Sequence, residues 1–130
     1  MCVLKLFSDT HSFKELATEA EIYSVYDKGE HYTKSKVSEE YRVSFDVSDH
    51  EWDKFHLQVK DAISFLEKNE SMLKELLVSH NVNYSVLDFP LYSRLNNNIA
   101  AQFDNFPARL IKVAGSIGLS IEISYYHNEE

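Results

Sequence analysis

The most regular pattern in the chain is a strict alternation of apolar and polar residues in two distant segments, 41–47 and 119–126. Successive side chains of a β-strand point to opposite faces, so each segment predicts a strand with one packed face and one polar face. Three further strands are predicted at residues 2–7, 21–26 and 82–89. Pro90 cannot donate a ladder hydrogen bond, and it is expected to end the last of these.

Apolar residues at three- and four-residue steps predict three helices. The longest spans roughly 49–79, with Trp52 opening its apolar stripe and Ser48 as its N-cap. A short amphipathic helix is expected after Ser12, which forms a capping-box pattern with the glutamate three residues on. The third helix follows Pro107 and is expected to stop at the glycine at position 118.

The predicted order of elements is therefore β-α-β-β-α-β-α-β, and the fold class is α+β. Strands with one polar face imply a mostly antiparallel sheet with the helices packed on the other face. The first six elements follow the ferredoxin-like split βαβ order, with a helix and a strand added. The 130 residues have the length of one domain, so residues 1–130 are expected to form a single domain.

The composition narrows the possible partners. A formal net charge of −8 argues against nucleic acid and anionic membranes and is compatible with a basic protein partner. No apolar run approaches the roughly 20 residues of a membrane span. The lone Cys2 cannot form an internal disulfide, and the first residues do not resemble a signal peptide, so a cytoplasmic location is expected.

No recognisable catalytic motif is present, which leaves the question of an enzyme open but favours a non-catalytic role. The three glycines do not fit a phosphate-binding loop, and no cofactor is expected. His50, Asp53 and His56 are three residues apart, a spacing that spreads their side chains around a helix. A solvated first turn explains them better than a metal site, so no metal is expected.

Polar residues on the alternating strands are the first candidate site. Arg42, Asp46 and a neighbouring serine project from one strand, and Glu122, Tyr126 and two serines project from the last one. If the two strands are neighbours, these side chains form one mixed surface that could dock a partner or a ligand. The simpler interpretation is an ordinary solvated sheet face with weak cross-strand pairs.

The segment from Asp88 to Arg94 is the second candidate. Asp88 interrupts an apolar run, and Tyr92 and Arg94 follow within six residues. A buried carboxylate needs a partner, so a structural ion pair between Asp88 and Arg94 is expected. The alternative is a pocket for a small molecule beside this segment, in a binding domain or a weak enzyme.

Three stretches resemble small uncharacterised bacterial α+β proteins that are grouped only as domains of unknown function. These stretches are Asp27-Lys28-Gly29-Glu30, the helix near Trp52 and the closing segment 114–121. Some proteins of this kind resemble immunity proteins encoded beside bacterial toxins. The resemblance implies an inhibitor that binds a protein partner and supplies no catalytic residues. A homodimer formed through an exposed strand edge is a further possibility.

Overall fold

The computed structural model describes residues 1–128 of the chain. It contains five strands, β1 to β5, two α-helices, α1 and α2, and one short 3-10 helix. The strands are Cys2–Ser8, Ile22–Tyr26, Tyr41–Ser48, Val82–Tyr92 and Ser120–Tyr126. The helices α1 and α2 are Phe55–Ser79 and Ala108–Ile117, and the 3-10 helix is Lys14–Leu16.

The five strands form one sheet in the order β2-β3-β1-β4-β5. Strand β1 runs antiparallel to β3 and β4 on its two sides, and β2 runs antiparallel to β3. The first four strands thus have the ferredoxin-like arrangement that the order of elements predicts. Strand β5 pairs in parallel with β4, which requires a crossover, and α2 provides it. The α+β class and the mostly antiparallel sheet are confirmed.

Both α-helices pack on the same face of the sheet and enclose the core. On the strands this face presents alternate residues such as Leu4, Phe45 and Leu87, all of them buried. On α1 the matching stripe includes Leu66 and Leu73, which are fully buried. Neither α-helix among residues 1–128 has an apolar stretch that could span a lipid bilayer.

Cys2 lies in β1 within this core and is fully buried. Burial raises the pKa of its thiol far above the ordinary range, and the charge of Asp88 acts in the same direction. A thiol that stays protonated and inaccessible is a poor nucleophile. Cys2 is therefore the packed small residue of the first strand that its position in the sequence indicates.

The predicted helix after Ser12 is wrong in extent, because only three residues turn, as a 3-10 helix. Ser12 does not form the expected capping box: its hydroxyl donates to Asp27 at 2.5 Å. The side chain of Glu15 instead contacts His80, at the end of α1. Phe13 stacks on the same imidazole, with ring centroids 5.0 Å apart. Long-range contacts therefore replace the local pairing that would have extended the helix.

The start of the long helix is also displaced from its predicted position. Helix α1 begins at Phe55, without a side-chain cap, and runs without a break to Ser79. Ser48 belongs to β3, and its hydroxyl donates to Asp61 at 2.8 Å, nearly two helical turns inside α1. Residues 49–54 form a separate connecting segment. Trp52 lies in this segment and is therefore not part of the apolar stripe of α1.

Pro90 lies inside β4 and does not end it, contrary to the expectation. The paired residues show that β1 reaches only as far as Asp88 on this side, so no ladder donor is needed at Pro90. Beyond that point the 49–54 segment and α1 replace β1. The carbonyl of Pro90 accepts from the side chain of Gln58 at 3.2 Å, and Tyr92 N–H donates to the Trp52 carbonyl at 3.3 Å.

Candidate functional site

The face of the sheet opposite the helices, called here the open face, carries most of the candidate residues. Six of the seven candidates share the strand phase that points away from the core. They are Arg42 and Asp46 on β3, Asp88 and Tyr92 on β4, and Glu122 and Tyr126 on β5. Strand register, which alternates in and out with a period of two, brings these residues to one surface.

The two polar strands that suggested this surface are not neighbours, because β1 and β4 lie between β3 and β5. The condition for one surface made by β3 and β5 alone is therefore not met. What the topology creates instead is a line across the sheet. Asp46 is paired with Val3, Val3 with Asp88, and Asp88 with Glu122.

This line places three carboxylates, Asp46, Asp88 and Glu122, in one row of the open face. Neighbouring strands lie about 4.8 Å apart, so the backbone of Asp88 is about 5 Å from that of Glu122 on the next strand. The backbone of Asp46 is two strands away from Asp88, at about 10 Å. Glu122 is exposed, Asp46 is partly exposed and Asp88 is buried. We call this set the carboxylate row.

The members of the carboxylate row have different surroundings. Asp88 accepts a hydrogen bond from the hydroxyl of Ser124 at 2.9 Å, which satisfies a buried oxygen. One carboxylate oxygen of Asp46 is buried without a hydrogen-bond partner. Burial, together with the negative charge of Asp49, raises the pKa of Asp46 above its ordinary value. A cationic group placed against Asp46 would offset that unfavourable charge.

Arg42 anchors an aromatic ladder at one end of the open face. Its guanidinium lies 4.9 Å from the ring centroid of Phe7 and 4.6 Å from that of Tyr32. The ring of Phe7 stacks in turn on Tyr84, with centroids 5.6 Å apart. The guanidinium therefore has a favourable cation–π contact with each of two aromatic rings.

A second aromatic group lies beyond the carboxylate row, at the other end of the open face. Trp52 stacks on Tyr126, with ring centroids 4.4 Å apart, and meets Tyr92 edge to face at 5.2 Å. The hydrogen bond from Tyr92 N–H to the Trp52 carbonyl holds the backbone of Trp52 beside β4. We call these three residues the aromatic cluster.

A groove of about 620 Å³ opens beside the aromatic cluster. Trp52 and Tyr92 form part of its wall, together with polar side chains that include Arg94, Asn96 and Asn128. The groove adjoins the segment in which the sequence suggests a small-molecule pocket. Asp88, by contrast, does not line it. The volume of the groove falls within the range of small-molecule sites, although the walls of the groove are more polar than is usual for such sites.

The expected ion pair between Asp88 and Arg94 is absent. Arg94 lies beyond the end of β4, and its guanidinium donates to Asp104 at 3.1 Å. The partner of Asp88 is the hydroxyl of Ser124. The prediction was wrong because sequence proximity favoured Arg94, whereas the parallel pairing of β4 and β5 brings a residue 36 positions away into contact.

The side chains of His50, Asp53 and His56, near the start of the predicted long helix, do not come together as a metal site. His56 lies in α1, whereas His50 and Asp53 precede it in the 49–54 segment. His50 lies 3.4 Å from Asp61, the same carboxylate that accepts from Ser48. Within residues 1–128, no three His, Cys, Asp or Glu side chains are grouped so that they could hold a metal ion.

The sequence pattern did not predict that several other residues lie on the open face. Trp52 has helical spacing with the apolar stripe of α1, which hides its position outside the helix. Phe7 and Tyr84 lie within mostly apolar strands, and their outward direction depends on register. The phase of Phe7 relative to Leu4 and Leu6 is the signal that could have indicated its outward position.

Comparison with known proteins adds nothing to this geometry. No family model matches the chain, and neither the curated proteins nor the solved structures contain a match.

Proposed function

We propose that this chain is a small acidic interaction protein that binds a basic protein partner on its open face. The observation that carries the proposal is the carboxylate row of Asp46, Asp88 and Glu122, which lies on one register line across the sheet. A net charge of −8 adds long-range attraction for a cationic partner and repels nucleic acid.

The aromatic residues at both ends of the row fit this role. Tyrosine, tryptophan and arginine are the residues that most often dominate binding energy at protein interfaces. Tyr126 is 43% exposed and is supported from behind by Trp52, so its ring is preorganised for contact. Arg42 is similarly held between two rings at the opposite end.

The partner that best fits a row of carboxylates on this face is a basic toxin, with this chain as its immunity or inhibitor protein. An inhibitor of this kind needs no catalytic residues and no cofactor, and it acts by covering a cationic surface. The proposal includes a cytoplasmic location, which suits a chain whose one cysteine is a buried free thiol.

The test is affinity capture with matched charge variants as bait. Glu122→Lys changes the charge on the open face, while Glu75→Lys makes the same change on the exposed side of α1, across the sheet. We expect wild type and Glu75→Lys to retain a basic protein at low salt and release it as salt rises. Glu122→Lys should lose it. Equal retention by both variants would show that the open face is not the binding surface.

A second candidate is a small-molecule site in the groove beside Trp52, Tyr92 and Arg94, favoured by the aromatic wall and the polar side chains around it. Thermal shift against a metabolite library tests it, because a ligand at about 100 times its Kd stabilises a protein by about 2.7 kcal/mol. A shift that survives Glu122→Lys but disappears in Trp52→Ala would assign the ligand to the groove. The absence of any shift would count against it.

A further inference from the structure

The two edges of the sheet differ in their protection against a further strand. The β2 edge is five residues long, and its register with β3 shifts between Ile22 and Ser24. The β5 edge is seven residues long and pairs with β4 in unbroken register. It contains no lysine or proline, and Glu122 is its one charged residue. Bulges, charges and prolines are the usual devices that block strand addition, so β5 is the open edge.

The backbone groups that β5 presents outward follow from one hydrogen bond. The N–H of Ser93 donates to the carbonyl of Tyr126 at 2.9 Å, so Tyr126 directs its polar backbone groups toward β4. Alternate residues of a strand point to opposite sides, and Ile121, Ile123 and Tyr125 therefore direct theirs away from the sheet. Within residues 1–128 no strand lies on that side.

Helix α2 has an uncovered flank above the same edge. Its other flank faces α1, where Arg109 donates to Glu67 at 2.6 Å. The flank turned away from α1 carries Ile111, which is 55% exposed, and Gly115, where an added Cβ would meet open space. Because α1 lies over the central strands, this flank overhangs β5.

We infer that two copies of this chain pair through their β5 edges in antiparallel fashion, with the α2 flanks meeting above the joined sheet. A single extended peptide would satisfy the backbone of β5 but would leave Ile111 exposed. A second copy brings its own α2 along with its own β5, so one twofold contact covers both features.

The register of the pairing follows from the outward residues. A twofold axis at Ile123 sets Ile123 against its own copy and Ile121 against Tyr125 of the partner subunit, so every outward residue meets an outward one. On the open face the same register sets Glu122 against Ser124 of the partner subunit. Two like charges directly opposite each other would destabilise the pair, and this register keeps them apart.

The experiment measures the molar mass of the wild-type chain and two pairs of variants by sedimentation over a range of concentrations. Tyr125→Pro removes one outward N–H, at an edge position where proline is tolerated, and Tyr125→Ala keeps it. Gly115→Lys places a charge on the outer flank of α2, and Ser116→Lys places one on the flank facing α1.

We expect the wild type to dimerise and Tyr125→Pro to raise the dimer Kd at least about tenfold above that of Tyr125→Ala. Gly115→Lys should weaken the dimer more than Ser116→Lys does. If circular dichroism shows that Tyr125→Pro is unfolded, the comparison of Gly115→Lys with Ser116→Lys tests the inference in its place. A wild type that stays monomeric at its highest soluble concentration, or a dimer that Gly115→Lys leaves intact, would overturn the inference.

Discussion

Neighbouring residues of a strand lie on opposite faces of the sheet, and along one register line across the central strands the two faces differ sharply in chemistry. On the three central strands, one register line is apolar and buried, and the adjacent line, one residue away on each strand, contains two carboxylates. The apolar row consists of Phe45, Leu4 and Leu87, and the other consists of Asp46, Val3 and Asp88. Burial of the first row against the helices selects the register, and the register then aligns the carboxylates.

This comparison shows how a polar surface can be positioned without strong contacts of its own. Cross-strand polar pairs contribute only a few tenths of a kcal/mol to about 1 kcal/mol each, too little to choose a register. The apolar face makes that choice, because each buried aliphatic side chain contributes about 1.5 to 3 kcal/mol. The open face can therefore carry charged residues that contribute little to the choice of register.

The largest expected effect comes from truncating adjacent residues of β1 on opposite faces. Leu4→Ala, in the core, should lower the free energy of unfolding by about 2 to 5 kcal/mol. Val3→Ala, on the open face, removes two methyl groups that are only partly buried, and should cost less than about 2 kcal/mol. Urea unfolding followed by the fluorescence of Trp52 measures both. An equal loss of unfolding free energy in the two variants would mean that Val3 is packed as tightly as Leu4, against the assignment of an open face.

A smaller effect is expected from the serine that satisfies the buried carboxylate. Ser124→Ala leaves Asp88 without its hydrogen bond, which should cost about 1 to 3 kcal/mol. Ser120→Ala is the matched control, since Ser120 is exposed on the same strand and face. Its unfolding free energy should stay within about 0.5 kcal/mol of wild type. If the two variants unfold at the same urea concentration, the bond to Asp88 contributes nothing.

The smallest effect concerns the charge on Asp46. Its pKa is raised in the folded state, so the contribution of this group to stability is full below the ordinary pKa of 3.8 and is lost as pH rises through the folded value. Asp46→Asn removes the charge and should raise the urea midpoint near pH 7 but not near pH 3.

Asp53→Asn, at an exposed carboxylate, is the control for this change. Its urea midpoint should follow that of the wild type at both pH values. A fall in the midpoint of Asp46→Asn near pH 7 would show that the ionised carboxylate stabilises the fold, against the direction of its pKa.

Local patterns predicted most of the architecture but few of the contacts at the candidate site. The five strands, α2 and most of α1 follow from periodicity, and the glycine at 118 ends α2 in a left-handed conformation with φ of 100°. Capping patterns at Ser12 and Ser48 failed, because each hydroxyl bonds a carboxylate brought close by tertiary structure. The ion pair of Arg94 with Asp88 failed for the same reason.

What the sequence by itself determined is which residues could share a face within each strand, since that depends only on a period of two. The sequence also determined the acidic character of the molecule and the fold class. Only the tertiary structure decided that β1 and β4 separate β3 from β5, that three carboxylates form a row, and that Trp52 lies over Tyr126. Strand order and register are set by burial across the whole sheet, and no local segment contains that information.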